Sequence, residues 1–386
     1  SWEEVYQWWW PLARDKMKAD AAIKQKVQEL ILQAKTQEEK LKVVYEFCAR
    51  KIRYVAVEYG QAGYEPHSAQ DIFKNKYGDC KDQAILLVTM LKEAGIEAFP
   101  VLIPTRQMHN LREDFPSIHF NHCIAAAKLN AEIIFLDPTA ETCPLRDLPP
   151  DDQGRHVLAC SENGYTIMET PLFSAKHNAL RQHTKITVHP DEMITAEKSV
   201  LTRGVYNQSQ RYWFLYTPPQ LIEEQLKEAI QNISIGATLE RYMIENLDSL
   251  DAPVVLKYFF RGPEYFTAAG NLRIMPRLSG FDATLAAKAA RVYPLDFGML
   301  HSKETIFEIA IPRELVVQYL PQPVVQTSEW LTYSVEYNQK ASTIYCKETI
   351  EVLRRQIPRE EYQAFKQFAE TAAKQGKQHI VLRRVQ

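Results

Sequence analysis

The sequence has no long apolar run and almost no net charge, and each shortage excludes a class of protein. No stretch approaches the roughly 18 apolar residues that suggest a transmembrane helix, so we predict no membrane span. The 46 basic residues nearly balance the 48 acidic ones, which leaves a formal net charge of −2. Because nucleic-acid-binding proteins usually carry a basic patch, we expect no nucleic-acid partner.

Cysteine is also scarce. Six cysteines among 386 residues are too few for a disulfide scaffold, and no two have the C-x-x-C spacing of a structural zinc site. We therefore predict no metal and no other cofactor, so each cysteine needs its own explanation. The chain begins with Ser1 rather than Met, and we interpret it as a fragment or a processed form.

The length and composition of the chain predict a multidomain globular protein. At 386 residues it is too long for one compact core. Hydrophobic residues make up 46% and charged residues 24%, the usual balance for a globular fold. We place the first domain at residues 1–175 and the second at residues 176–386. The sequence does not indicate an oligomeric state.

The first domain mixes helical and strand-like patterns. Helical spacing of apolar residues occurs in the segments 2–13, 20–34 and 36–51. A further helix is predicted to begin near Ser68. Strand patterns occur in the segments 96–103, 118–129 and 132–136. The last two strands should form a hairpin that turns at Asn130, and Pro100 predicts a sheet edge or a bulge.

Three consecutive tryptophans, Trp8, Trp9 and Trp10, lie on the first predicted helix. We expect their indoles to pack against the domain. Docking to a membrane or to a partner protein is the alternative.

The second domain has a different pattern, dominated by alternating residues typical of long antiparallel strands. The clearest such segments are 185–206, 303–312 and 329–353. Helices are predicted over 219–232 and 359–374, and a last strand over 379–384. This half should therefore be an antiparallel, sandwich-like domain with helical insertions. It contains no recognisable catalytic constellation.

Cys80 is predicted to begin a buried helix. Gly78 permits a tight turn, Asp79 is a suitable N-cap, and Asp82 follows in the capping-box position. A helix N-terminus stabilises a thiolate through its free N–H groups and its dipole. The backbone N–H of Cys80 could also donate to an oxyanion that forms beside the sulfur.

His122 and Asp137 are predicted to lie near each other on paired strands. His122 is in the segment 118–129, and Asp137 ends the segment that should pair with it. Counting from the turn at Asn130 places Asp137 opposite about residue 123. A carboxylate there would orient the imidazole and stabilise its protonated form. A buried histidine with only a structural role is the alternative.

Three motifs carry a resemblance to a known family. GDCKDQAILLVTMLKEAGIEA, then FNHCI, then FLDPT are similar to the transglutaminase-like core, a branch of the papain-like cysteine superfamily. The resemblance implies that Cys80 is the nucleophile, His122 the base and Asp137 the residue that orients it. The upstream segment 52–73 resembles a bacterial subgroup in which such a core lies between β-rich domains.

The resemblance covers about residues 1–173 and implies an α+β fold class. The expected core has a helical N-terminal part and an antiparallel sheet, and a β-rich, sandwich-like domain follows it. The superfamily includes crosslinking transglutaminases, cysteine peptidases and acetyltransferases, as well as inactive members. Because its bacterial subgroup suggests it, the expected location is the bacterial cell envelope or periplasm.

Several other residues near Cys80 are weaker candidates. Tyr54 and Gln61 are the nearest upstream candidates for a second oxyanion donor, with packing of Tyr54 and solvation of Gln61 as the alternatives. Asp79 could line the cleft as well as cap the helix. We expect Lys81 to be solvated and Asp82 to be a capping residue.

Two classes of function follow. The first is a thiol-dependent hydrolase or acyltransferase that acts on a peptide bond or on a glutamine-type amide of a protein or peptide substrate. The alternative is a catalytically silent module that binds an extended peptide in the same cleft. A third, weaker hypothesis is a metal site built on the same cysteine and histidine.

Overall fold

The computed structural model describes residues 1–56, 59–263 and 265–385. The chain divides into two compact units, Ser1–Leu172 and Phe173–Gln386. This division lies close to the predicted boundary at residue 175, whereas the roles assigned to the two domains stay predictions.

The helices of the first unit begin where the sequence supplies a side-chain cap. They are α1 (Trp2–Arg14), α2 (Ala21–Ile31), α3 (Gln37–Lys51), α4 (Ala69–Asn75) and α5 (Cys80–Glu93). The residue before each helix is Ser, Asp or Thr, and its side chain accepts a hydrogen bond from a backbone N–H of the first turn. Every residue of α5 from Cys80 to Leu91 is buried. This helix is therefore the centre of the unit.

The strands of the first unit pack against α5. They are β1 (Arg53–Tyr54), β2 (Tyr77–Gly78), β3 (Ala98–Ile103), β4 (His122–Leu129), β5 (Glu132–Leu136), β6 (His156–Ser161) and β7 (Gly164–Glu169). β1 and β2 form a short parallel pair, and the others form an antiparallel sheet in the order β5-β4-β3-β6-β7. The apolar face of this sheet packs against the buried helix α5, and the two belong to one hydrophobic core.

Two strand predictions need correction. The strand predicted over 118–129 begins only at His122, and residues 118–121 are irregular. Pro100 lies in a central strand, because β3 pairs with β4 on one side and β6 on the other. β6 pairs with β3 only at Val101 and Leu102. The missing N–H of Pro100 therefore breaks no hydrogen bond to β6.

The second unit is rich in strands, as predicted. Its helices are α6 (Val205–Tyr216), α7 (Pro219–Gln231) and α8 (Tyr362–Gln375). Its strands are β8 (Ala179–Val188), β9 (Ile194–Thr202), β10 (Thr238–Glu245), β11 (Val255–Gly262), β12 (Thr267–Ala269), β13 (Leu272–Ile274), β14 (Leu295–Asp296), β15 (Ser302–Ala310), β16 (Leu315–Tyr319), β17 (Val324–Thr327), β18 (Leu331–Lys340), β19 (Thr343–Val352), β20 (Gln356–Ile357) and β21 (Val381–Arg384). The chain therefore has an α+β fold.

The large sheet of this unit has the order β10-β11-β9-β8-β15-β19-β18-β17, and a smaller one has the order β12-β13-β21-β16. Residues of both sheets and of α6 and α7 share one apolar core. β8 and β15 pair in parallel, which departs from the predicted antiparallel pattern. The sequence analysis also missed α6: it extended a strand to residue 206, whereas β9 ends at Thr202 and Gly204 turns the chain with a φ of 56°.

The helices found in the described parts of the chain include none with the length and apolar character to cross a membrane.

Gly78 sets how closely the chain can approach the start of α5. A Cβ at this position would lie 2.6 Å from the Cβ of Asp82, which cannot move without leaving its capping position. We expect Gly78→Ala to destabilise the start of α5 by about 1–3 kcal/mol. Hydrogen exchange of the α5 amides and urea unfolding would measure this.

Gly280→Ala is the matched control for the substitution itself. Its new Cβ would meet only the side chain of Arg277, at 3.4 Å. Equal unfolding midpoints for the two variants would contradict the role assigned to Gly78.

Candidate active site

The candidate site is built around the first turn of α5. The Asp79 carboxylate accepts a hydrogen bond from the backbone N–H of Asp82 at 3.2 Å. The Asp82 carboxylate accepts one from the backbone N–H of Asp79 at 3.3 Å. This reciprocal pair is the predicted capping box. It holds Cys80 as the first residue of the helix, with 7% of its surface exposed.

His122 is the first residue of β4 and lies beside Asp137. Its Nε2 is 3.3 Å from Asp137 Oδ2. Ala125 pairs with Leu136 in the hairpin. Asp137 is the next residue, so it continues the register opposite residue 124, one position from the predicted residue 123. Asn130 has a φ of 57° in the turn between the strands. Cys80 and His122 line the same cavity, and the thiol is close enough to the imidazole to raise its pKa. Because Nε2 faces Asp137, Nδ1 is the nitrogen left for the sulfur.

Thr139 and Tyr45 fix Asp137 from the other side. Asp137 Oδ1 accepts hydrogen bonds from the Thr139 backbone N–H at 2.9 Å and from its hydroxyl at 2.7 Å. The Tyr45 hydroxyl donates to the backbone carbonyls of Asp137, at 3.3 Å, and Cys143, at 3.1 Å. One carboxylate oxygen is therefore committed to the turn and the other faces the histidine.

Electrostatics favour a charged pair at His122 and Asp137. Burial opposes charge on His122, but the charge and hydrogen bond of Asp137, with a hydrogen bond to Cys80, raise its pKa well above the ordinary 6.5. Burial likewise opposes charge on Asp137, and His122 and Thr139 outweigh it and lower its pKa. The arrangement stabilises an imidazolium beside a carboxylate.

Aromatic side chains line the cleft in which Cys80 and His122 meet. A cavity of about 100 Å³ is lined by residues of α1, of the segment before α4, of α5 and of the segment before β4. They are Trp8, Trp9, Gly63, Tyr64, Cys80, Lys81, Leu102, Ile118, Phe120, Asn121, His122 and Cys123. Trp9 and Trp10 are buried as expected, whereas Trp8 is 39% exposed. Part of the tryptophan cluster therefore forms a wall of the cleft.

Lys81 differs from the sequence prediction. It is buried rather than solvated, and its Nζ lies 2.5 Å from Asp79 Oδ2. Burial raises the pKa of Asp79 against the opposing effect of Lys81. The prediction was wrong because α5 is covered on all sides, so a charged side chain in its first turn needs a neighbouring counter-ion. Asp82 has the predicted capping role, and it also accepts a hydrogen bond from the backbone N–H of His67 at 2.7 Å.

The other predicted site residues are Tyr54, Gln61 and Asp79, and Tyr54 pairs with Gly78 in the short β1–β2 ladder. Tyr54 is 48% exposed and Gln61 is also exposed. Neither belongs to the described residues that line the cleft, and Asp79 does not line it either. Their oxyanion and cleft roles stay predictions. Asn121 does line it, held by hydrogen bonds with Thr105.

The sequence analysis missed Asp152. This residue ends a short 3-10 turn, Pro150–Asp152, and it is 2% exposed. Among the described residues, the ligand atoms of His122, Asp137 and Asp152 lie within 4.8 Å of one another. The residues of 149–155 predict only a turn, and no local pattern distinguishes Asp152 from the adjacent Asp151. These three side chains are also where a metal ion would find nitrogen and oxygen donors, although Asp137 already occupies His122 Nε2.

Comparisons with known proteins concern the fold of the two halves of the chain. Residues 24–138 match the family model of the transglutaminase-like superfamily. These residues form a transglutaminase-like core. Residues 272–382 match DUF3858, a domain of unknown function for which a structure has been solved. No curated protein matches the sequence.

A solved structure has the fold of the whole chain. It is the crystal structure of a "putative protease" from Parabacteroides distasonis, which matches 96% of this chain with a TM-score of 0.59. The sequences are 13% identical, so the likeness shows the fold alone. This chain spans 58% of the length of that protein.

Asp137→Asn should remove a pH-dependent stabilisation from the transglutaminase-like core. The raised pKa of His122 stabilises the fold fully below pH 6.5, and this is lost as the pH rises through the folded value. The lowered pKa of Asp137 stabilises it above pH 3.8, and this is lost as the pH falls through the folded value. Between pH 3.8 and pH 6.5, we expect the free energy of unfolding of wild type to exceed that of the variant by about 3 kcal/mol.

Urea unfolding at several pH values measures this difference. Asp147→Asn, a change at another acid of the core, provides the control. A difference between wild type and Asp137→Asn that does not vary with pH would contradict the ion pair.

Proposed function

We propose that this protein is a thiol-dependent enzyme that cleaves or transfers the acyl group of an amide in a protein or peptide. Cys80 is the nucleophile, His122 the general acid–base and Asp137 the residue that orients His122. The observation that supports this most is that Cys80 and His122 meet in one cavity, with His122 Nε2 3.3 Å from Asp137 Oδ2 and Asp137 held by Thr139. The match to the superfamily and a protease-like structural relative are consistent with it.

The reaction follows from the positions of these groups. The sulfur attacks the amide carbonyl and forms a C–S bond, and the backbone N–H of Cys80 donates to the oxyanion. The C–N bond then breaks, and the proton held by His122 leaves with the amine. Water or a second amine attacks the thioester through the same histidine. The products are an acid or a new amide, and the thiol is restored.

The alternative function, a silent peptide-binding module, has one observation in its favour. Only 7% of the Cys80 surface is exposed, and the cavity beside it holds about 100 Å³. A substrate amide would reach the sulfur only if the aromatic walls move apart. Under this alternative, peptides would bind the cleft equally well in wild type and in Cys80→Ala, without turnover.

Selective alkylation tests the enzyme proposal. We expect iodoacetamide to modify Cys80 at least about tenfold faster than the other five cysteines at neutral pH. Those five are at most 2% exposed, and burial raises the pKa of Cys160 and of Cys346 to about 12. Mass spectrometry of tryptic peptides gives the six rates.

Exposure alone could favour Cys80, so His122→Gln is the decisive comparison. This variant keeps the cysteine in place but removes the imidazole, and its Cys80 should react at least about tenfold more slowly. Equal rates in wild type and His122→Gln would refute the proposed activation. A screen of amide peptides for thioester formation, hydrolysis or amine transfer would then identify the reaction.

The aromatic wall predicts a preference for substrates with a flat apolar side chain near the reacting amide. Trp8 contacts Tyr64 edge to face, with ring centroids 5.2 Å apart. Trp8→Ala should slow Cys80 labelling by a peptide reagent with such a side chain by about tenfold, and leave iodoacetamide labelling unchanged. Leu32→Ala, a change at an exposed apolar residue, is the control. Equal slowing with both reagents would show a general defect instead.

A further inference from the structure

Asp152 is a buried acid that the proposed reaction does not use. One of its carboxyl oxygens lies within 4.8 Å of a carboxylate oxygen of Asp137 and of a ring nitrogen of His122. Asp152 Oδ2 meets no hydrogen-bond donor in the described parts of the chain. An ionised Asp152 would therefore place a second negative charge beside Asp137 with one oxygen lacking a donor, which is costly in a buried site.

Hydrogen bonds hold the backbone of Asp152 on both sides of the residue. Its N–H donates to the Pro149 carbonyl at 3.1 Å. Its carbonyl accepts from the Thr170 hydroxyl at 2.5 Å. That hydroxyl in turn accepts from the Arg155 backbone N–H at 2.9 Å. The fold thus places this carboxyl at the triad.

We propose that Asp152 is a positioning residue whose protonated carboxyl donates a hydrogen bond to the Asp137 carboxylate and holds it against His122. Two nearby carboxyls that share one proton keep a single negative charge. That charge then remains on Asp137, where it orients the imidazole. The inference rests on the proposed function, because it assigns Asp152 to the same triad.

The surrounding charges agree with this protonation state. The titratable groups facing Asp152 are His122 from β4, Asp137 after β5, Cys143 from the following turn and the adjacent Asp151. Burial raises the pKa of Asp152 well above its ordinary value, and the Asp137 charge raises it further, against the opposing effect of His122. Burial also keeps Cys143 neutral by raising its pKa.

Two substitutions separate hydrogen bonding from shape. Asp152→Asn keeps a donor but cannot ionise, and Asp152→Leu has a similarly branched, larger side chain without a donor. We expect iodoacetamide to label Cys80 in the Asn variant within about twofold of wild type near pH 6, and in the Leu variant at least about tenfold more slowly. Glu162→Gln, which removes an exposed acid of the same unit, should leave the rate unchanged.

The pH profile distinguishes positioning from a merely structural role. In wild type, Asp152 ionises as the pH rises and adds a negative charge that keeps His122 protonated. The Asn variant lacks this charge, so its His122 should lose its proton at a lower pH. NMR of ¹⁵N-labelled histidine measures this titration in both proteins. Superimposed titrations would overturn the proposal, as would a Leu variant that labels at the wild-type rate.

Infrared spectroscopy tests the protonation without any use of Cys80. At neutral pH, the wild-type spectrum should contain a carboxylic-acid carbonyl band that Asp152→Asn lacks. Absence of this band would overturn the proposal, and so would stoichiometric zinc in wild type that the Asn variant does not bind. Slow labelling of Cys80 in wild type would instead refute the proposed function, and the infrared and NMR results would still decide the role of Asp152. If the Leu variant does not fold, the infrared and NMR results still decide the role of Asp152.

Discussion

The first turn of α5 is the constraint on which the candidate site depends. Asp79 and Asp82 cap each other's backbone, and the helix behind them is buried along its length. A buried helix cannot tilt or fray at low cost, so the position of Cys80 is fixed before any substrate arrives. The sheet then needs to bring only one edge, the start of β4 and the end of β5, to this point. The hairpin does so because its two-residue turn determines the register.

Much of this arrangement was predictable from local sequence, for physical reasons. Capping residues, the apolar periodicity of α5 and the hairpin turn at Asn130 act over a few residues, so their patterns indicate structure directly. The pairing of Asp137 near His122 followed from counting along the hairpin, with an error of one residue. The family resemblance assigned roles to the same three residues and is matched over residues 24–138.

What the sequence could not show depends on contacts between distant segments. Lys81 was expected in solvent, because the apolar pattern that predicts a buried helix begins at Ala84 and does not reveal that the first turn is covered too. Trp8 lines the cleft although its neighbours pack into the core. Asp152 is fifteen residues from Asp137 in an ordinary turn sequence, and only the fold brings their carboxyls together. The prediction that Pro100 lies at a sheet edge or bulge was wrong because the length of β6, a distant segment, decides which backbone hydrogen bonds form between β3 and β6.

The balance of buried charges at the candidate site connects these unpredicted features. Lys81 and Asp79 neutralise each other, and so do His122 and Asp137. When the Cys80 thiolate forms, it adds one negative charge that the helix N-terminus can stabilise. An ionised Asp152 would add a second in the same low-dielectric region, and it would compete with the thiolate for the imidazolium. A proton on Asp152 removes this competition. The burial of Asp152 therefore suits a site in which the only unpaired negative charge is the sulfur.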